Sequence, residues 1–83
     1  ENNWKKTLDN RNAIVKTFKF NDFKSCFGFM SMIAMKSEEI NHHPEWENIY
    51  NKVQITLITH DQNKITNLDI ILAQYADKCY ASF

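Results

Sequence analysis

EINHHPEWENIYNKVQITLITH, residues 39–60, decides the fold. Val53, Ile55 and Leu57 alternate with Gln54, Thr56 and Ile58, the period-two pattern of a strand with one buried face. Upstream, Trp46–Tyr50 predicts a short strand, and Asn51-Lys52 predicts the turn joining it to the longer one. Pro44, the one proline in the chain, disfavours helical geometry at His43, so a preceding helix must end before or within the pair His42-His43. His60 closes the longer strand. It shares the parity of Gln54 and Thr56, so it is expected to point away from the Val53/Ile55/Leu57 face.

Working outward toward the N-terminus, Trp4–Leu8 and Ala13–Phe20 predict two strands, with Asp9-Asn10 as a two-residue hairpin turn. Asn21-Asp22 offers a helix cap. Phe23, Cys26, Phe27, Met30, Ile33 and Ala34 follow at helical spacing and predict a buried stripe on a helix running to about Glu39. Gly28 inside that helix is expected to permit a close approach to the sheet. Beyond the longer strand, the polar loop DQNK leads to a last helix. Thr66 is its expected N-cap, and Asp69 three residues on makes a near capping box. Ile65 and Ile70 are candidates for a hydrophobic staple, and Leu68, Ile71, Leu72, Tyr75 and Cys79 for the buried stripe. The order strand–strand–helix–strand–strand–helix predicts an α+β fold, a four-stranded antiparallel sheet with helices packed on one face. The length predicts a single domain over residues 1–83.

Charge narrows the function. Ten acidic residues balance ten basic ones, and the lysines form no run. A nucleic-acid binder carries a clustered basic footprint, so direct nucleic-acid binding is not expected. No apolar run approaches the ~20 residues that span a bilayer, and no signal peptide is visible. The first residue is Glu1 rather than Met. Cys26 and Cys79 are far apart and lack metal-ligand spacing; two reduced, buried thiols in a cytoplasmic protein are expected. A domain of this size buries only roughly 60–65% of its unfolded surface, so oligomerisation is a natural source of added stability.

All three histidines fall at element ends. Imidazoles titrate near neutral pH, so several of them converging suit proton transfer, with Glu38 and Asp69 to orient or tune them. Spacing alone leaves the alternative open, with ordinary loop histidines and Trp46 as core. Zinc fits less well. Adjacent residues in extended chain point opposite ways, so His42 and His43 are poorly placed to chelate one ion, and the i, i+4 histidine pair of zinc hydrolases is missing. No Ser or Cys stands in a nucleophile context, and no glycine-rich loop is present to cradle a phosphate.

Glu38, His42-His43-Pro44, Trp46, Tyr50, Thr59-His60 and Asp69, in that order and spacing, resemble the pterin-4a-carbinolamine dehydratase family. In animals the family is also known as the dimerisation cofactor of a homeodomain transcription factor. FKFNDF at 18–23, FGFM at 27–30, YNKVQITLITH at 50–60 and DIILA at 69–73 also look like family segments, so the resemblance covers roughly residues 4–76. It implies the four-stranded antiparallel sheet with helices on one side, one further helix before the first strand, and assembly into homodimers or homotetramers. This sequence starts at about that strand.

The resemblance also implies a reaction. Water leaves a 4a-hydroxytetrahydropterin to give the quinonoid dihydropterin, in the recycling of tetrahydrobiopterin, with the pterin as substrate and no cofactor. His42, His43 and His60 match the family's catalytic histidines. His42 and His60 are expected to act as acid or base at the 4a-hydroxyl, with His43 mainly holding the pterin. Glu38, Trp46, Thr59 and Asp69 match substrate-binding or orienting positions, with no metal. A transcription-factor partner, and with it a nuclear location, is the family's other theme. Two departures stand out. Lys64-Ile65-Thr66 replaces the Gly-Leu-Ser/Thr of many members, and Leu68 stands where a basic residue often precedes the motif aspartate.

Overall fold

The computed structural model describes residues 3–83. The elements are β1 (Lys5–Lys6), β2 (Ile14–Lys19), α1 (Phe23–Ile40), β3 (Glu45–Ile49), β4 (Lys52–Leu57) and α2 (Asn67–Tyr80). The sheet is antiparallel with strand order β1-β2-β4-β3, so the longer strand of the opening motif lies at its centre. Register sets the two faces. Ile14, Lys16 and Phe18 stand opposite Leu57, Ile55 and Val53, and Trp46 and Asn48 stand opposite Ile55 and Val53. Directly opposed residues share a face, and this is the face both helices cover. Phe18, Phe20, Val53, Ile55 and Leu57 meet Cys26, Phe29 and Ile33 of α1 and Leu72, Ala73, Ala76 and Cys79 of α2 in one core. Lys16 lies in the same row. Its ammonium reaches Asp77 of α2 at 2.6 Å, and Trp4 Nε1–H donates to the other oxygen of that carboxylate at 3.0 Å.

Caps form where the sequence places them. The Asp22 carboxylate accepts from Ser25 N–H at 2.8 Å, and that bond holds the carboxyl below its ordinary range. At the other end of α1, Asn41 takes a left-handed conformation (φ 53°). Asn41 N–H donates to Glu38 and His42 N–H to Ser37, the paired bonds of a Schellman ending. That ending fixes where His42 leaves the helix. Tyr50 (φ 51°) and Asn63 (φ 52°) supply left-handed joints elsewhere, so non-glycine residues make these bends.

Several expectations are corrected. β1 is two residues rather than Trp4–Leu8, and β2 begins at Ile14 rather than Ala13. The two-residue turn at Asp9-Asn10 becomes a wider loop. Thr7 N–H bonds Ala13 C=O, and the Asp9 carboxylate gathers the Thr7 hydroxyl and Arg11 N–H inside it. The second hairpin turns at Tyr50-Asn51, one residue earlier than expected, because Ile49 pairs with Lys52.

Both helices are rotated relative to the expected stripes. On α1 the buried positions are Cys26, Phe29, Ile33 and Ser37, whereas Phe27 is 54% exposed and Phe23 also faces out. Gly28 lies on that outer side, and a Cβ there would meet nothing, so it serves no close approach. On α2 the stripe is Asp69, Leu72, Ala73, Ala76 and Cys79; Ile70 and Ile71 stay in solvent, which leaves the Ile65/Ile70 staple without a buried partner. Cys26 and Cys79 are buried free thiols, and burial pushes the Cys26 thiol up, away from reactivity. Among the described residues, no helix is long and apolar enough to cross a membrane.

Candidate active site

Each histidine is held by a carboxylate. His42, 8% exposed, follows the Schellman ending of α1 and turns inward. Its Nε2 lies 2.6 Å from Asp69 Oδ1. Asp69 is 0% exposed and sits in the first turn of α2, where the positive end of the helix favours a carboxylate. Its second oxygen accepts from the Thr59 hydroxyl at 2.7 Å and from Thr66 N–H at 2.9 Å, the latter being the carboxylate half of the capping box. The Thr59 and Thr66 hydroxyls are 2.6 Å apart. One buried carboxylate thus caps α2 and fixes an imidazole arriving from α1.

His43 turns the other way, its Nε2 2.6 Å from Glu38 Oε2, so the adjacent histidines diverge as extended backbone dictates. Both partners of that pair are exposed, and solvent weakens it. His60 lies beyond the end of β4, exposed, with Nε2 2.8 Å from Glu45 Oε2. β4 stops at Leu57, and Ile58 and Thr59 are both buried, so strict alternation ends before His60. His60 nevertheless meets Glu45, which opposes Thr56 on the sheet face away from the helices.

The three pairs come from the end of α1, the start of β3, the exit of β4 and the first turn of α2. Antiparallel pairing of Glu45 with Thr56 brings these segments to one end of the sheet. Trp46, 36% exposed, stands beside them on the helix-facing side of the edge strand β3. Thr59 is buried, and its hydroxyl is spent on Asp69. Among the described residues, no three His, Cys, Asp or Glu side chains gather as a metal site.

Sequence reasoning missed Glu45 and Arg11. Glu45 Oε2 also accepts from Arg11 Nη1 at 2.7 Å. This contact, with that of His60 second, holds the Glu45 carboxyl below its ordinary range. Glu45 lies inside the histidine motif and was visible as an acid beside Pro44. Arg11 lies 34 residues away along the chain, and only the folded loop brings it there.

A family model described as pterin 4 alpha carbinolamine dehydratase matches residues 1–79. A Burkholderia ambifaria protein, provisionally named pterin-4-alpha-carbinolamine dehydratase, is 55% identical over 67 residues, 81% of this chain and 66% of the relative. A Burkholderia vietnamiensis protein of the same provisional name is 51% identical over 71 residues, 86% of this chain and 70% of the relative. The chain therefore spans 66% of the length of the Burkholderia ambifaria relative, just under two thirds. Among solved structures, a transcriptional coactivator/pterin dehydratase from Brucella melitensis superposes with a TM-score of 0.89 at 47% identity, over 93% of this chain and 81% of that one. A pterin dehydratase-like RuBisCO assembly factor of the alpha-carboxysome shares the fold, with a TM-score of 0.75 at 20% identity over 96% of this chain and 94% of that one. Sequence match, relatives and superposition agree, and the chain belongs to the pterin 4 alpha carbinolamine dehydratase family.

Proposed function

We propose that this chain is a hydro-lyase that eliminates water from a 4a-hydroxytetrahydropterin to give the quinonoid dihydropterin, within the recycling of tetrahydrobiopterin. The observation that carries this reading is the buried His42–Asp69 pair, in a chain whose residues 1–79 match the family model. A carboxylate only accepts hydrogen bonds, so it fixes the proton on Nε2 of its imidazole and leaves Nδ1 available. The reaction asks for little more. An acid protonates the 4a-hydroxyl, the C4a–O bond breaks and water leaves. A base takes the N5 proton, and the N5=C4a double bond forms. Both are proton transfers, so histidines suffice and no cofactor is required. His42 and His60 supply acid and base, His43 holds the pterin, and the half-open Trp46 ring offers a flat contact for the heterocycle. Glu38, Glu45 and Asp69 hold the three imidazoles.

The test is the decay of freshly generated 4a-hydroxytetrahydropterin, followed by ultraviolet absorbance with and without the protein. Acceleration that vanishes in a folded His42→Ala/His60→Ala double variant supports the reading. No acceleration by the folded wild-type protein defeats it.

A second reading, an interaction module that stabilises dimers of a transcription factor, draws on the outer face of α1. Phe23, Phe27, Met32 and Met35 are exposed there, and the Phe23 and Phe27 rings stack at 5.5 Å. We propose that self-assembly into a homodimer or homotetramer uses this face or the open edge of β3. Light scattering at micromolar concentration tests it: a monomer mass counts against the oligomer.

A further inference from the structure

We propose that Arg11 is a positioning residue for His60, acting through Glu45. The proposal rests on the dehydratase reading for its catalytic consequence, but its structural core does not. Arg11 Nη1 and His60 Nε2 lie 2.7 and 2.8 Å from the same oxygen, Glu45 Oε2. Glu45 sits on an edge strand and His60 in an exposed loop, with side chains 40% and 60% exposed, so packing alone leaves both room to turn. Arg11 supplies the missing constraint because it is itself tied down. Asp9 Oδ2 accepts from Arg11 Nε at 3.1 Å, while Asp9 Oδ1 accepts from Arg11 N–H and the Thr7 hydroxyl. The β1–β2 loop is also tied to the His60 loop, since Asn12 Nδ2–H donates to Asn63 C=O at 3.3 Å.

Donor chemistry decides where the His60 proton sits. A guanidinium donates and never accepts, and an ionised carboxylate accepts and never donates. With Arg11 on one side, Glu45 stays ionised and holds its orientation, and His60 must present Nε2–H to it. The proton-accepting face of His60 is then Nδ1, the same polarity that Asp69 imposes on His42. The charged groups around His60 are Glu45 from β3 and Arg11 with Asp9 from the β1–β2 loop, with Asp61 adjacent in its own loop. Arg11 touches no reacting atom in this arrangement; it sets the proton address of a group that does.

The experiment is nitrogen-15 NMR of the histidine side chains, at a pH about two units above the ordinary histidine value. In the wild-type protein His60 is expected to be predominantly the Nε2–H tautomer, and a predominant Nδ1–H tautomer overturns the proposal without any variant. In Arg11→Gln the His60 signal is expected to move toward a tautomer mixture while His42, held by Asp69, is unchanged. Arg11→Lys, which keeps a cation beside Glu45, is expected to restore the wild-type signal in large part. An unaltered His60 tautomer in folded Arg11→Gln overturns the assignment. In turnover, Arg11→Gln is expected to lower kcat by roughly tenfold, a share of the ~10²–10⁴ that a general acid or base supplies, with KM little changed. If the wild-type protein shows no dehydration but the tautomer responds as described, the dehydratase reading falls and the positioning role stands.

Discussion

Asp69→Asn separates the two duties of one carboxylate. Asp69 is fully enclosed and takes His42 Nε2–H at 2.6 Å, the Thr59 hydroxyl at 2.7 Å and Thr66 N–H at 2.9 Å. An amide offers one acceptor oxygen and two N–H donors. If the oxygen keeps Thr59 and Thr66, the –NH₂ faces His42 Nε2. That nitrogen must then accept, and the imidazole proton moves to Nδ1. Stability loses a charge-assisted bond worth ~1.5–3 kcal/mol and recovers a neutral one worth ~1, a net loss of about 0.5–2 kcal/mol. In a domain of this size each kcal/mol shifts Tm by about 4–8 °C, so the expected fall is about 2–16 °C. Turnover falls further, by about 10²–10⁴, because the available proton site on His42 has been reversed. Asp69→Ala behaves differently. It strands buried donors and costs about 3–5 kcal/mol, a large part of the roughly 4–12 kcal/mol expected of an 83-residue domain. Urea denaturation of both variants and stopped-flow dehydration by the folded Asn variant measure the two effects. An Asp69→Asn protein with wild-type midpoint and wild-type turnover refutes the reasoning.

Two further predictions concern packing and charge. Phe29, 0% exposed, and Phe27, on the outer face of the same helix, test the rotation of α1. Phe29→Ala is expected to cost about 3–5 kcal/mol and Phe27→Ala less than about 1 kcal/mol in the dissociated chain, read from urea midpoints; equal costs would put the stripe elsewhere. Glu45 is held below the ordinary glutamate value of 4.5, by Arg11 first and His60 second. A depressed folded value means the contribution is complete above 4.5 and is lost as pH falls through the lower folded value. The Tm difference between wild type and Glu45→Gln should therefore shrink on acidification, and a difference that grows toward low pH contradicts the Arg11–Glu45 contact.

The parts of the molecule written in local pattern were legible. Alternation at residues 53–57 placed β4, Asp22 and Thr66 capped their helices, and Pro44 separated α1 from β3. The phase of α1 was not, because apolar residues occupy two of its faces. Periodicity shows that Phe23, Phe27, Phe29 and Ile33 lie on a helix, but only the sheet selects which of them it covers. On α2 the shift has a polar cause. The buried position in its first turn belongs to Asp69, whose hydrogen bonds replace the apolar contact expected of Leu68. At the site, Glu38 and Asp69 stand out in the sequence because both lie in the motif, and each meets a histidine of that motif. Arg11 is a product of register: nothing local to DNRNA announces the glutamate it meets across the sheet end.

The left-handed joints at Asn41, Tyr50 and Asn63 have a consequence for the chain before it folds. Glycine is the usual occupant of such positions, and a denatured chain rich in glycine has many conformations to surrender. Here asparagine and tyrosine impoverish that ensemble in advance, by about 0.4–1 kcal/mol at a joint whose geometry the side chain accepts without strain. Asn41 and Asn63 fit that condition well, since asparagine tolerates the left-handed region, while Tyr50 returns part of the gain as backbone strain. For a small domain with one core, part of its resistance to unfolding then resides in the disordered chain, where no native contact records it.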